Sequence, residues 1–514
     1  MLATIQSAAV RGIEGSMVTV ELDMANGLPH FVIVGLPDGA VRESRERVVS
    51  AVRNSSFQFP SRRITVNLAP AQARKEGTHF DLPVALAALC ASGQAAPAPW
   101  ARRCCFLGEL ALDGALRPVP GVLAMSLQAK AGGFEGIIVP EANVYEARAS
   151  GLAAYGAKSL REVVELLARD LSPVSREPKT AGEPAASARI SEDDLSDVKG
   201  QALAKRALEI AAAGGHNLLL IGFPGVGKSM LARRLVTLLP KPTPGEALEI
   251  ARIRSIASGS AGASESGWRP FRAPHHTASA AALVGGGKAA RPGEATLAHG
   301  GVLFLDEIAE FGRPALEALR QPLEDFKVTV SRASDIVTYP ARFMLVAATN
   351  PCPCGFRGHG QRPCRCTPQA VERYLGRLSG PLLDRIDIQV EMSALEFEHW
   401  SGGADEKGRS SAEARESVAR ARQAQSKRFK SEDFAFNAYL PARELRRHCA
   451  LEAEGLRVLE AASKKRGLSA RSLDRALRVA RTIADLEGCD RVSTQHLIEA
   501  VSYRSLDRLA SQTA

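Results

Sequence analysis

The stretch Gly222-Phe-Pro224-Gly225-Val226-Gly227-Lys228-Ser229 constrains this chain most, because G-x-x-x-x-G-K-S folds in one local context, between a buried strand and a helix. Asn217 to Ile221 reads as that strand. Ser229 to Leu239, with apolar residues at Met230, Leu231, Leu235, Leu238 and Leu239, reads as that helix. Glycines let backbone N–H groups close around phosphates, and the helix N-terminus adds the positive end of its dipole. Lys228 is placed to reach the β/γ oxygens and Ser229 to offer a hydroxyl to Mg²⁺. An ordinary Gly-rich βα turn is the plain alternative, but Lys-Ser at this spacing argues against it.

A second half of such a site lies downstream in Gly301-Val-Leu-Phe-Leu-Asp306-Glu307. Four apolar residues suit a core strand of a parallel sheet, and two carboxylates stand at its C-terminal end, where open α/β sheets bind ligands. Asp306 is expected to hold the Mg²⁺ shell, and Glu307 to take the proton of an attacking water. The expected cofactors are therefore ATP and Mg²⁺, with hydrolysis as the reaction.

At 514 residues the chain exceeds one core, so about three domains are expected. A net charge of +10 favours an acidic partner, of which nucleic acid is the commonest, although basic solvated surfaces are also frequent. Arg11 and Glu14 interrupt any signal-like segment, and the apolar tract Leu82 to Ala91 is about half a membrane span. A cytoplasmic protein with no membrane association is the expectation. Four of the nine cysteines crowd into Cys352-Pro-Cys354 and Cys364-Arg-Cys366. The other five are expected to be buried small apolar residues.

Residues 1–170 form a first unit, with strands at Met17 to Leu22, Phe31 to Val34 and Arg63 to Leu68, and a charged helix at Arg42 to Arg53. The tract Lys75-Glu-Gly-Thr-His79-Phe-Asp81-Leu-Pro, and Gly108 to Gly121 after it, resemble the proteolytic domain of Lon-type proteases. That family uses a Ser-Lys dyad. Here His79 stands where the serine belongs and Leu123 to Leu127 offers no lysine, so the resemblance implies a Lon-like α+β fold without protease activity. His79 could be reactive on its own or simply structural. Residues 171–189, rich in Ser, Pro, Glu, Lys and Ala, read as a linker.

Residues 190–392 read as the nucleotide-binding core. Arg269-Pro-Phe-Arg272-Ala-Pro-His275-His276 has no role that chemistry alone assigns; a structural or DNA-facing one is preferred over zinc. The Val284 to Lys288 loop is either a mobile finger touching phosphate backbone, through Lys288, or a flexible connection. Phe326 to Arg342 reads as a β-hairpin with Arg332 at its tip and Lys327 and Arg342 at its base. The strand Phe343 to Thr349 ends at Asn350, suited to sensing the γ-phosphate. Cys352, Cys354, Cys364 and Cys366 either give four thiolates to one Zn²⁺ or are reduced loop cysteines, C-x-C being a less usual spacing. In Leu378 to Asp387, Arg385 is either a surface ion pair or an arginine completing a neighbouring subunit's site, with Arg377 in reserve. After a second linker (393–411), residues 412–514 read as helical. Ser469 is a plausible N-cap for a helix ending at Gly488, Arg471 can reach the nucleotide from this lid, and most other arginines are expected on a solvated face.

The phosphate loop, Asp306-Glu307, Asn350, Arg385 and Arg471, in that order, resemble an AAA+ ATPase of the magnesium-chelatase type, and with the N-terminal unit and the Arg-Pro-Phe-Arg-x-Pro-His-His tract the whole chain resembles the YifB/ComM family. The fold class implied is α/β: an AAA+ P-loop core on a parallel sheet, an N-terminal α+β Lon-protease-like domain and a C-terminal helical lid. The resemblance further implies a homo-hexameric ring that translocates on DNA and promotes branch migration, including during natural transformation. It places DNA contacts on Lys288, Lys327, Arg332 and Arg342. A magnesium-chelatase motor acting on a protein partner is the alternative; it would share core and lid and is expected to lack the N-terminal unit.

Overall fold

The computed structural model describes residues 1–71, 74–169, 193–258, 268–287, 290–331, 336–394, 408–429, 436–466 and 468–504. The predicted linker at 171–189 lies outside these residues, as does most of that at 393–411. The chain divides into two compact units, residues 1–188 with 244–266, and residues 189–243 with 267–514. Among the described residues no helix is long and apolar enough to cross a membrane.

In the first unit, strands Leu2–Arg11, Glu14–Ala25, Arg63–Ala69 and His30–Val34 form a sheet in that spatial order, the last pair parallel and the rest antiparallel. The first strand is absent from the sequence reading; it hides Ile5, Ser7, Ala8 and Ala9 rather than alternating cleanly. Helix Asp81–Ala91 is buried along nearly its whole length, in keeping with a core helix too short for a membrane. A parallel sheet of Cys104–Phe106, Gly136–Pro140 and Ala153–Ala157 completes the unit. The helix Pro244–Ser258 belongs to this unit although it follows the phosphate-loop helix in sequence, and the Ser255 carbonyl accepts from the Gly121 N–H at 3.1 Å.

His79 and Lys75 are both buried. The His79 ring has its centroid 4.2 Å from that of Phe80, and burial pushes its pKa down to about 4. The Lys75 ammonium donates to the Pro70 carbonyl. Beside them Asp81 is buried and bound by Arg47 (Nε to Oδ2, 2.7 Å); burial raises its pKa to about 6 against the lowering effect of that guanidinium.

The second unit is built on a five-stranded, wholly parallel sheet ordered Phe271–Arg272, Val302–Leu305, Met344–Thr349, Leu218–Gly222, Ile388–Met392. Its inner strands are continuously apolar because helices cover both faces. The C-terminal helices share this core: Val418, Val479, Ile483 and Leu497 are buried in one cluster with Leu220, Phe304 and Val346. The lid helix, Ala470–Leu486, starts where predicted, with Ser469 Oγ accepting from the Ser472 N–H at 3.2 Å.

The expectation that its remaining arginines are solvated is corrected. Arg481 is 1% exposed and grips Asp485 and two backbone carbonyls, Arg478 donates to the Leu440 carbonyl, and Arg475 pairs with Asp387. The helix is enclosed on several sides, so its charges are placed only where an acidic or carbonyl partner meets them. Cys489 departs from the expected burial and is exposed, whereas burial pushes the Cys449 thiol up to about 12.

Candidate nucleotide site

Three parallel strands end side by side, and each delivers part of the site from its C-terminal end. Ile221 pairs with Thr349, and Leu305 with Ala347, so the turn after Gly222, the carboxylates after Leu305 and the amide after Thr349 converge. Gly225 and Gly227 take φ of +83° and +92°, a left-handed backbone that a side chain at either position would strain. The helix Lys228–Leu238 begins directly after the loop, so its free N–H groups face the turn.

Within this site Lys228 Nζ donates to the carbonyls of Gly222 (2.7 Å) and Phe223 (2.9 Å) and to Asn350 Oδ1 (2.9 Å). Burial lowers its pKa, while Asp306 and Glu307 work to raise it. Ser229 Oγ donates to Asp306 Oδ2 at 2.7 Å. A hydroxyl and a carboxylate at this distance, beside a phosphate loop, form an oxygen donor pair suited to Mg²⁺ carrying nucleotide phosphates. The Glu307 N–H donates to Asp306 Oδ1 at 3.0 Å, and Glu307 itself holds φ of +51°, unusual for a glutamate. That turn leaves its carboxylate exposed, with His276 Nδ1 3.9 Å away. Five predicted residues, Lys228, Ser229, Asp306, Glu307 and Asn350, are thus gathered by three strand ends.

His276 is the neighbour that the sequence left unassigned. Its ring lies 4.1 Å from that of His275 and edge-on to Phe311, while Arg272 is tied bidentately to Glu294 at 2.6 and 2.8 Å. Adjacent histidines carry no spacing signal. The position of His276 follows from the short Phe271–Arg272 strand pairing beside Val302–Leu305.

Among the described residues, no hydrogen bond or ion pair joins Arg385 or Arg471 to this cluster. Arg385 is 8% exposed and binds Glu324 and the Pro381 carbonyl. Its guanidinium, through that hydrogen bond, holds the Glu324 carboxyl below its ordinary value, with Arg471 and Arg475 adding to the effect. Arg377 reaches the Ala309 carbonyl (2.8 Å) and Glu310 (2.9 Å).

Lys327–Ser331 and Ile336–Pro340 pair as the expected hairpin, from Lys327 opposite Pro340 to Ser331 opposite Ile336. Lys327 is exposed at its base. Arg342 is not a free surface charge: its guanidinium lies over the rings of Phe326 (5.5 Å) and Tyr439 (5.7 Å). Arg332 and Lys288 lie outside the described residues. Gly285, in a short antiparallel pair with Pro292, approaches Val330, so a Cβ on it would sit 3.5 Å from Val330 Cγ2 and the glycine tract adjoins the hairpin.

A phosphate loop, a hydrogen-bonded Ser-Asp oxygen pair, an acidic strand end and an asparagine on the neighbouring strand, set on a parallel sheet with a helical C-terminal region, define an AAA+-type P-loop ATPase. Family models match three successive stretches: one described as subunit ChlI of Mg-chelatase over residues 20–143, one as magnesium chelatase, subunit ChlI, over 194–400, and one as the C-terminal part of that subunit over 408–504. The chain is 45% identical over 511 residues to the competence protein ComM of Haemophilus influenzae, covering 99% of this chain and 98% of that one. Over 509 residues it is 44% identical to the uncharacterized protein YifB of Escherichia coli (strain K12), with the same coverage. A shorter likeness, 27% over 240 residues, relates 44% of the chain to half of the Holliday junction branch migration complex subunit RuvB of Mycobacterium sp. (strain KMS). The chain belongs to the YifB/ComM family of magnesium-chelatase-like proteins. Contrary to the expectation that a chelatase motor lacks the N-terminal unit, a model described as subunit ChlI of Mg-chelatase covers residues 20–143, so that unit does not by itself separate this family from a chelatase motor.

Proposed function

We propose that this ATPase is a ring-shaped, homo-hexameric DNA motor that promotes branch migration of recombination intermediates, including during natural transformation. The observation that carries the reading is the pairing of a complete hydrolytic set with arginines held elsewhere. With nucleotide and Mg²⁺ bound, Lys228 would hold phosphate, Ser229 and Asp306 would hold Mg²⁺, Glu307 would activate water and Asn350 would sense the γ-phosphate. Arg385, gripped by Glu324, is the arginine proposed to supply positive charge to a neighbour, with Arg471 reaching in from the lid. DNA as the track is supported by the net charge of +10, by the basic hairpin beside the glycine tract, by the competence protein ComM at full length and by the partial likeness to a branch-migration subunit. Lys288, Lys327 and Arg332 are the proposed DNA contacts. Arg342 braces the base of the hairpin, and its loss weakens DNA binding through that packing.

The chelatase-type reading, a motor acting on a protein partner, draws support from the three ChlI family matches. ATP hydrolysis by the purified protein with single-stranded, duplex and four-way-junction DNA, alongside displacement of a labelled strand from the junction, separates the two. DNA-stimulated turnover with ATP-dependent junction processing, both lost in Glu307→Gln, is expected. Hydrolysis indifferent to every DNA would transfer the function to a protein partner.

A further inference from the structure

The loop that follows Asn350 has no regular secondary structure between residues 351 and 367 and no apolar core of its own. From 352 to 366 only Cys352 and Gly355 are buried. Such a segment holds one shape when something other than hydrophobic burial cross-links it. The four cysteines of its two C-x-C arms converge, with all four Sγ atoms within 4.8 Å of one another. Cys352 Sγ lies 3.4 Å from Cys354 Sγ and 3.7 Å from Cys364 Sγ, and Cys354 Sγ lies 3.6 Å from Cys364 Sγ. These separations far exceed a disulfide bond of about 2.05 Å. They are close to the sulfur–sulfur edge, about 3.8 Å, of a tetrahedron with zinc–sulfur bonds of about 2.3 Å. The Cys354 N–H points at Cys366 Sγ (3.4 Å) and the Cys366 N–H at Cys364 Sγ (3.5 Å), placing backbone donors on sulfurs that would carry negative charge.

The loop is also fastened to the phosphate loop. Gly355, at φ +83°, packs so closely that a Cβ there would lie 2.7 Å from Pro224 Cδ and Cγ, and 4.0 Å from Asn350 Cγ. The His359 ring meets Phe223 edge-on at 4.8 Å. Phe223 and Pro224 are the first two residues of the phosphate turn, and Asn350 is the side-chain acceptor among the three that Lys228 donates to. Cysteine spacing and nucleotide geometry therefore meet at one place in the fold.

We propose that Cys352, Cys354, Cys364 and Cys366 hold one structural zinc ion, and that the loop it closes braces the phosphate loop through Gly355 and His359, so that zinc occupancy and nucleotide affinity are linked. The bracing half rests on the nucleotide reading above; the metal half does not.

The test starts with the full-length protein, purified, reloaded with zinc alone and desalted. Elemental analysis should find about one zinc per chain, and replacement by Co²⁺ should give the thiolate charge-transfer and intense visible bands of a tetrahedral sulfur site. Zinc near zero, with Cys354, Cys364 and Cys366 open to a thiol reagent in the native, reloaded protein, would overturn the site. The double variant Cys364→Ser/Cys366→Ser should lose the metal. Affinity for a fluorescent ATP analogue is then compared between zinc-loaded and chelator-stripped protein, and in His359→Ala, which retains all four ligands. Stripping should weaken binding about tenfold with recovery on adding zinc back, and His359→Ala should weaken it about threefold at unchanged zinc content. Equal affinity in loaded and stripped protein overturns the bracing and leaves the metal site standing. Full zinc with no nucleotide bound in either state overturns the nucleotide reading and the bracing with it.

Discussion

Replacing Arg475 by alanine removes the guanidinium by which the lid helix grips Asp387, at the head of the last strand of the parallel sheet. Asp387 is 2% exposed and Arg475 20%. The carboxylate also accepts from the Asn217 N–H at 3.2 Å, and His216 Nδ1 lies 3.4 Å from it. Burial works to raise the Asp387 pKa, but Arg475 and His216 hold it well below the usual carboxylate range. Breaking a buried ion pair by deleting one partner costs about 3–5 kcal/mol. Since Arg475 is partly solvated and two donors remain, the expected cost is about 2–3 kcal/mol, or roughly 4–10 °C in the melting temperature of the second unit. Asp387 contributes stability above the ordinary carboxylate pKa that is lost as pH falls through its depressed folded value. The gap between wild type and Arg475→Ala should therefore narrow below about pH 4. Adding Asp387→Asn to Arg475→Ala should recover at least about 1 kcal/mol, because the stranded charge is then gone. Arg471 lies one helical turn before Arg475 on the same face, so ATP turnover should fall about tenfold in Arg475→Ala with nucleotide affinity changed less than about threefold, and Arg475→Lys should restore part of it. Thermal and denaturant unfolding read the stability and steady-state hydrolysis reads the turnover. A single variant costing under about 0.5 kcal/mol, or strictly additive effects in the double, would refute the reasoning.

Three further outcomes are expected. Lys228→Ala should weaken binding of a fluorescent ATP analogue at least about 100-fold, whereas Glu307→Gln should bind normally and lose turnover at least about 100-fold; an active Glu307→Gln would remove that residue from the chemistry. Mixing inactive Glu307→Gln and Arg385→Ala chains should restore part of the activity, since some interfaces then pair an intact site with an intact arginine, and no recovery at any ratio would argue against a shared site. His79 has its folded pKa lowered from 6.5 to about 4, so it contributes stability present above pH 6.5 and lost as pH falls toward 4. Asp81, raised from 3.8 to about 6, contributes in the opposite sense, its share growing as pH falls from 6. The two offset each other in the wild type. In His79→Gln the first unit should gain about 2–3 kcal/mol relative to wild type between pH 7 and pH 4.5, and parallel melting curves of the two proteins would contradict the burial argument.

Sequence alone determined the nucleotide core, because phosphate binding demands glycines, a lysine and a hydroxyl at fixed offsets along a few consecutive residues. Lys228, Ser229, Asp306, Glu307 and Asn350 were legible for that reason, as was the N-cap of the lid helix at Ser469. The buried Asp81–Ala91 helix was legible from the unbroken apolar run Leu82 to Ala91, too short for a membrane, and the Lys327–Pro340 hairpin from its strand-turn-strand pattern. Tertiary structure alone decided what depends on residues far apart in the chain. It set His276 beside Glu307, laid Arg342 over Phe326 and Tyr439, turned the lid arginines inward onto Asp387 and Asp485, and grouped the Pro244–Ser258 helix with the first unit. A sequence records that an arginine is charged. Whether water or a buried carboxylate takes that charge is settled when strands and helices pack, since burial makes a partner obligatory only there.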